Sequence, residues 1–138
     1  MKLFNFKASP PLTVGQRGED EAVKFFKKKG FHIKERNYRY SKYEIDFIAE
    51  NKDLIIFVEV KARSYKSLED ADFGRPSLAV THDKRKFILY AAKMYLRKNP
   101  KIQKQPRIDV VEVYFDNNPI VKKKKILKIN HIPNAFGE

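Results

Sequence analysis

The stretch that decides the fold is Glu44-Ile45-Asp46-Phe47-Ile48-Ala49-Glu50, followed after a polar turn by Leu54-Ile55-Ile56-Phe57-Val58-Glu59-Val60-Lys61. Both runs are rich in β-branched and aromatic residues and lack a helical period, so they predict two strands joined as a hairpin. Side chains alternate between the faces of a strand, which places Glu59 and Lys61 on the same face. A carboxylate and an ammonium group therefore project together from an otherwise apolar strand.

Asp46 is another charged residue within an apolar segment. The face of the sheet from which its side chain projects depends on the length of the hairpin turn. A turn with an even number of residues, such as Lys52-Asp53, makes Asp46 face Glu59 on the same side of the sheet, whereas an odd number puts them on opposite sides. Two facing carboxylates repel each other, and a hard cation such as Mg²⁺ or Mn²⁺ relieves that repulsion. Lys61 could then orient or deprotonate an attacking water. The alternative is a structural ion pair between Lys61 and the two acids.

Two helices are predicted around this hairpin. Thr13 and Gln16 have the spacing of a capping box, and Gly30 is placed to end a helix over residues 14–29. A second helix is predicted over residues 81–97 because its apolar residues recur at intervals of three and four. Further strands are predicted over residues 31–38, 108–115 and 125–132. The order α-β-β-β-α-β-β indicates an α/β protein with a mixed β-sheet flanked by helices.

The 138 residues suit a single domain, which we place at residues 13–138. Residues 1–12 end in Pro10-Pro11 and are predicted to form an N-terminal arm. Residues 64–77 have no periodicity, so a long loop is predicted there, and a loop of this length in a compact domain is often functional or mobile.

The chain is strongly basic, with 30 Lys and Arg against 17 Asp and Glu and a formal net charge of +13. This excess favours a polyanionic partner, with nucleic acid, and DNA in particular, as the first candidate. A soluble basic protein and a binder of anionic membranes are the alternatives. Cysteine is absent, and neither a membrane-spanning run nor a signal peptide is recognisable, so a cytoplasmic protein without a membrane segment is predicted.

Glu19 lies on the apolar side of the first helix and is a candidate additional metal ligand, although it could instead pair with Arg17 or Arg36. The basic residues predicted to contact nucleic acid are Arg17, Arg36, Arg63, Arg75, Lys84, Lys122, Lys123 and Lys124. Alternatively, Lys84 covers apolar core with its stem, and the lysine run is a solvated hairpin tip. Gly15 and Gly18 give a weak phosphate-binding signal, for which close packing of the helix is the alternative.

Several segments in joint order resemble the YraN family of uncharacterised bacterial proteins. They lie between residues 13 and 115 and include Gly15-x-x-Gly18-Glu19-x-x-Ala22, Arg36-Asn37-Tyr38-Arg39, Glu44-Ile45-Asp46-Phe47-Ile48-Ala49, Phe57-Val58-Glu59-Val60-Lys61-Ala62-Arg63, Gly74-Arg75-Pro76 and Arg107-Ile108-Asp109-Val110-Val111. The family usually has glycine immediately before the Glu-Ile-Asp segment, where this chain has Tyr43. A bulky side chain there could change the turn or the access to the site without removing a metal ligand.

The resemblance implies a restriction-endonuclease-like fold of the PD-(D/E)XK type, shared with archaeal Holliday-junction resolvases. Carried over by position, the catalytic residues are Glu19, Asp46, Glu59 and Lys61, and the metal ligands are Glu19, Asp46 and Glu59. Resolvase-like domains often act as dimers, because cutting two strands needs two sites, so a homodimer is an open alternative.

The leading hypothesis is a Mg²⁺- or Mn²⁺-dependent endonuclease that hydrolyses phosphodiester bonds in DNA, with branched or damaged structures as candidate substrates. The alternative is a non-catalytic nucleic-acid-binding module of the same fold. A third hypothesis, an interaction scaffold, would use the long loop or the Phe-rich surface.

Overall fold

The computed structural model describes residues 12–65, 80–117 and 124–137. Within these ranges the elements are α1 (Val14–Lys28), β1 (His32–Tyr40), β2 (Tyr43–Glu50), β3 (Leu54–Tyr65), α2 (His82–Lys98), β4 (Gln105–Asp116) and β5 (Ile126–Ile132). The predicted order α-β-β-β-α-β-β and the mixed α/β class are confirmed. Apart from Leu12, the predicted N-terminal arm lies outside the described residues.

Helix α1 begins where its capping box predicts. The Thr13 side chain accepts a hydrogen bond from the Gln16 backbone N–H, and the Gln16 side chain accepts one from the Thr13 backbone N–H. Gly30 follows the helix with φ of +92°, a backbone conformation that glycine adopts without strain. Both boundaries of α1 therefore follow from local sequence signals.

The five strands form one sheet in the order β1-β2-β3-β4-β5. Neighbours are antiparallel except for β3 and β4, and the chain passes through α2 between these two parallel strands. The first residues of the predicted loop, Ser64 and Tyr65, instead continue β3 by pairing with the end of β4. The rest of that predicted loop, from residue 66 to residue 77, lies outside the described residues.

Each helix covers one face of the sheet with apolar side chains. The α1-side core contains Ala22, Val23, Phe26, Phe47, Ala49, Ile56, Val58, Val111, Val113 and Phe115. The α2-side core contains Ile45, Ile48, Ile55, Phe57, Val80, Ile88, Ala91, Ala92, Tyr95, Ile108 and Val110. Neither helix in the described part of the chain is long and apolar enough to cross a lipid bilayer.

The β1–β2 hairpin bends away from β3 part-way along its length. Strand β2 pairs with β3 only as far as Phe47 and Val58, whereas β3 remains paired with β4 to its end. Asn37, with φ of +52°, falls opposite Asp46 at this point. Simple alternation would put Ile45 and Phe47 on one face, yet Ile45 belongs to the α2-side core and Phe47 to the α1-side core. The bend therefore separates β2 from β3 at Asp46, and we call this opening between the two strands the fork.

Gly18 allows α1 to lie directly on β3, and we predict that Gly18→Ala destabilises the protein. A Cβ atom at Gly18 would stand 2.9 Å from the Ala62 Cβ, too close for a carbon contact. We expect a loss of about 1–3 kcal/mol of unfolding free energy in urea titrations. In the control Gly15→Ala the nearest atom is the Thr13 Oγ1 at 3.8 Å, so stability should hold or rise. Equal losses in both variants would contradict the close-packing interpretation.

Candidate metal centre

The hairpin between β2 and β3 has the even-numbered turn that places Asp46 and Glu59 on the same side. The Asn51 backbone N–H donates to the Leu54 carbonyl at 3.0 Å, which leaves Lys52-Asp53 as the two turn residues. The observed pairs, such as Phe47 with Val58, continue this register. Asp46 therefore falls opposite Glu59, at the fork where the two strands separate.

The carboxyl group of Asp46 occupies the opening of the fork. Its Oδ2 accepts a hydrogen bond of 2.7 Å from the Val60 backbone N–H, where β2 has ceased to pair with β3. Burial and the neighbouring Glu59 carboxylate raise the pKa of Asp46 to about 7, against the opposing effect of that N–H. A side-chain hydrogen bond to Glu59 raises the pKa of Asp46 further.

Two lysines approach the same pair of acids from different elements. The Glu59 side chain is buried, with 4% of its surface exposed, and its Oε2 lies 3.5 Å from the Lys61 Nζ and 3.6 Å from the Lys84 Nζ. Lys61 follows Glu59 on β3, while Lys84 extends from the first turn of α2. Both lysine side chains are more than a third exposed, so their ammonium groups remain accessible to a ligand from solvent.

Glu19 lies near this centre but is bound to an arginine. The Arg36 Nη2 lies 3.1 Å from the Glu19 Oε1 and 2.7 Å from the Asp20 Oδ1. Burial raises the pKa of Glu19; the Arg36 hydrogen bond opposes this shift and the negative charge of Asp46 adds to it. The charge of Asp46 therefore acts on the Glu19 carboxyl group. The observed geometry is the predicted alternative, in which Glu19 pairs with Arg36.

The donor set fits a hard divalent cation through Asp46 and Glu59. Both supply carboxylate oxygens, and a cation between them would relieve the repulsion that raises the Asp46 pKa. Across the described ranges, no three Asp, Glu or His side chains are grouped so as to hold a metal ion as they stand. The remaining ligands would be a backbone carbonyl, water or a substrate oxygen, and Glu19 would join only by exchanging Arg36 for the cation.

The other basic residues predicted to bind nucleic acid have varied positions. Arg63 donates from Nε to the Glu112 Oε2 at 3.1 Å, and the Arg17 guanidinium lies 4.8 Å from the centre of the Phe115 ring. Lys124 contacts the Asn117 side chain at 3.5 Å. Among the predicted basic contacts that the structure describes, Lys84 is the one at the Asp46–Glu59 pair. Arg75, Lys122 and Lys123 lie outside the described residues.

Two buried acids on β4 were not selected from the sequence. Glu112 lies beside Lys61 in the parallel register, is 1% exposed, and accepts hydrogen bonds from Arg63 and Asn130. Asp109 is fully buried and is held by Arg107 and other donors. Both are acids within an apolar alternating strand, which is the signal that identified Asp46. Glu112 holds Arg63, which by alternation lies on the same face of β3 as Glu59 and Lys61.

The pKa of Asp46 predicts how the stability of the metal-free protein changes with pH. Between the unfolded pKa near 3.8 and the folded value of about 7, the folded state binds the proton more tightly. Stability should therefore fall as pH rises from about 4 to 7. Asp46→Asn should flatten this decline in thermal melts recorded in EDTA, whereas Asp53→Asn, in the exposed turn, should not. Identical profiles for Asp46→Asn and the parent chain would contradict the assigned pKa.

Comparison with known proteins gives a consistent family match. Residues 18–113 match the model of an uncharacterised protein family, UPF0102. A UPF0102 protein from Caldanaerobacter subterraneus subsp. tengcongensis is 43% identical over 90% of this chain and 94% of its own length. One from Chlorobium phaeobacteroides is 40% identical over 91% and 95%, and one from Clostridioides difficile is 43% identical over 88% and 95%, respectively.

Proposed function

Since the chain belongs to the uncharacterised family UPF0102, the YraN family, we propose its activity from its own residues: a divalent-metal-dependent endonuclease that hydrolyses phosphodiester bonds in DNA. The observation that carries this proposal is the pair of facing acids at the fork of the sheet, with two lysines within 3.6 Å of Glu59. Two carboxyl groups held this close, with burial and Glu59 raising the pKa of Asp46, are costly to maintain, which favours a functional role.

The residues have distinct roles in the proposed reaction. Asp46 and Glu59 would hold Mg²⁺ or Mn²⁺, which supplies Lewis-acid activation of the phosphate and a more acidic attacking water. Lys61 donates hydrogen bonds that orient this water and compensates charge on the phosphoryl oxygens. Lys84 adds a second positive charge from α2 and contacts a neighbouring phosphate. Arg36 holds Glu19 in position until a cation competes for it.

The charge of the whole chain supports a polyanionic substrate. The net charge of +13 gives attraction to the nucleic-acid backbone that weakens as salt is added. Backbone attraction of this kind does not select a sequence, so the shape of the substrate would decide specificity. Branched and damaged DNA therefore belong in the substrate panel beside ordinary duplex.

Cleavage of a DNA panel tests the proposed activity. Branched, nicked, single-stranded and duplex DNA would each be incubated with the protein in Mn²⁺, Mg²⁺ or EDTA. We expect cleavage of at least one substrate with either metal and none in EDTA. Asp46→Asn should be inactive, whereas Glu44→Gln, which changes a partly exposed acid on the same strand, should remain active. Absence of cleavage throughout the panel, or undiminished cleavage by Asp46→Asn, would refute the activity.

A second candidate function is a nucleic-acid-binding module without catalysis. The observation that favours it is the Arg36 contact, which occupies the carboxylate of Glu19. This alternative predicts salt-sensitive DNA binding that needs no metal and survives substitution of both Asp46 and Glu59. Binding titrations of the double variant Asp46→Asn, Glu59→Gln in EDTA, combined with the cleavage panel, separate the two functions.

A further inference from the structure

Four aromatic side chains form a cluster where the tip of the β1–β2 hairpin meets α2. We call the set Tyr40, Tyr43, Phe87 and Tyr90 the aromatic platform. The Tyr43 and Phe87 rings stack with centroids 4.9 Å apart and an interplanar angle of 26°. Tyr90 makes T-shaped contacts with Tyr43 and Tyr40, at centroid distances of 5.4 and 5.8 Å. The hairpin bend at Asn37 brings Tyr40 and Tyr43 to this side of the sheet.

The platform is open to solvent to an extent that core packing does not explain. Phe87 is 41% exposed and Tyr90 is 46% exposed, and they are two of the three most exposed large hydrophobic side chains among the described residues. The Phe87 side chain has no polar atom, so its exposed ring surface is apolar. Tyr40, Ser41, Tyr43 and Tyr90 also line a surface depression beside the exposed rings. Open ring surface is therefore available to a flat apolar ligand.

Positive charges flank the exposed rings. The Lys98 Nζ lies 4.8 Å from the centre of the Tyr40 ring, and the Lys42 Nζ lies 5.7 Å from that of Tyr43. Ammonium groups over aromatic faces make a surface that attracts phosphates and offers stacking at the same time. An anionic chain that carries flat bases complements both features, whereas an uncharged apolar partner would leave the lysines unused.

The platform is continuous with the candidate metal centre along two elements. Phe87 follows Lys84 by three residues on α2, so the two side chains lie on the same side of the helix. Tyr43 precedes Asp46 by three residues on β2, a separation of about 10 Å along a strand. A short single-stranded segment spans this distance.

We propose that the aromatic platform binds an unpaired base of single-stranded nucleic acid by stacking, while Lys42 and Lys98 contact the adjoining phosphates. This proposal rests on the proposed nuclease activity. With the platform, nucleic acid that has unpaired bases becomes the preferred substrate class of that nuclease. Duplex DNA buries its bases in the helical stack and cannot use the platform. Tyr43 supplies one of the two stacked rings.

Binding without cleavage tests the platform directly. Anisotropy titrations in EDTA would compare labelled oligothymidine of about 15 nucleotides, an abasic oligomer of equal length and charge, and a duplex. We expect the base-containing single strand to bind most tightly. The double variant Phe87→Ala, Tyr90→Ala should weaken this binding by about 5- to 150-fold and leave the abasic oligomer unaffected. Lys42→Gln with Lys98→Gln should weaken the binding of both oligomers.

A tryptophan variant keeps the test informative if the alanine variant folds poorly. The natural chain has no tryptophan, so Phe87→Trp places a single fluorophore in the platform while preserving a stacking surface. Oligothymidine should quench its fluorescence, and the abasic oligomer should not. Equal affinity of the natural chain for the base-containing and abasic single strands, or an unquenched Phe87→Trp variant, would overturn the proposal.

Failure of the platform and failure of the proposed nuclease give different results. Preference for the base-containing strand in EDTA together with an inactive cleavage panel supports the platform and refutes the nuclease. Cleavage without this preference refutes the platform and retains the nuclease. If the alanine double variant alters only self-association in sedimentation, with oligonucleotide binding unchanged, the surface is an interface between copies of this chain and the platform proposal is wrong.

Discussion

Replacing Glu59 by glutamine is expected to lower metal-dependent DNA cleavage by about 10³-fold or more. Glu59 is the buried member of the acid pair and the one that both Lys61 and Lys84 approach. The amide would remove a negatively charged cation ligand, and the loss of several kcal/mol of transition-state stabilisation corresponds to a factor of this size. Initial cleavage rates at saturating Mn²⁺ measure the effect.

The same substitution should leave the protein folded, which separates loss of catalysis from loss of structure. Glutamine has the same shape, and the two lysines that lose their charged partner are partly solvated. Removing the negative charge of Glu59 also removes one cause of the raised Asp46 pKa. Thermal melts in EDTA should therefore give a midpoint equal to or above that of the natural chain. Full activity in Glu59→Gln, or inactivity accompanied by unfolding, would contradict this assignment.

The largest effect on stability is expected for Asp109→Asn. The fully buried Asp109 carboxylate accepts hydrogen bonds from Arg107, His131 and the Asn134 backbone N–H, at distances of 2.7–2.9 Å. His131 must donate here, because its other ring nitrogen accepts from Lys29. All of these partners are donors, so an asparagine amide would point its own N–H groups at other donors. We expect a loss of about 3–5 kcal/mol.

The pH dependence of this loss provides an internal check. Burial alone would raise the pKa of Asp109, but the hydrogen bonds from His131, Arg107 and Asn134 outweigh it and hold that pKa below its usual value. A carboxyl group whose pKa is lowered by folding stabilises the protein at pH values above its pKa in the unfolded chain. This stabilisation is lost as pH falls through its lower pKa in the folded state. The difference between the natural chain and Asp109→Asn should thus be largest near neutral pH and shrink in acid. Asp53→Asn, at an exposed position, should stay within about 0.5 kcal/mol throughout.

Local signals in the sequence are sufficient for the element order and for the faces of β3. The capping box at Thr13 and the alternation that separates Glu59 from Val58 depend on near neighbours, and the structure has both as predicted. The extension of β3 to Tyr65 was missed because it depends on pairing with Asp116, about 50 residues away in the chain. Pairing with a distant strand overrode the local loss of periodicity.

The candidate site also combines features that the local sequence predicts with features that depend on distant parts of the chain. A turn with an even number of residues correctly predicts that Asp46 faces Glu59. The sequence alone did not decide whether the number of turn residues is even or odd. The bend at Asn37 breaks alternation in β1 and β2, so the turning of Tyr43 toward α2 was not foreseen. The sequence could not place Lys84 at the acid pair, because its partner, Glu59, lies on an element distant in sequence. Metal binding and catalysis stay predictions.

The most direct measurement of the central claim, that Asp46 and Glu59 hold a divalent cation, is a crystal structure after a Mn²⁺ soak with anomalous scattering recorded near the manganese edge. We expect an anomalous peak between the two side chains, about 2.0–2.6 Å from a carboxylate oxygen of each. The peak should be lost in Glu59→Gln and retained in Glu44→Gln. A map without a peak at the fork, or with manganese bound only at other acids such as Glu112, would contradict the proposed metal site.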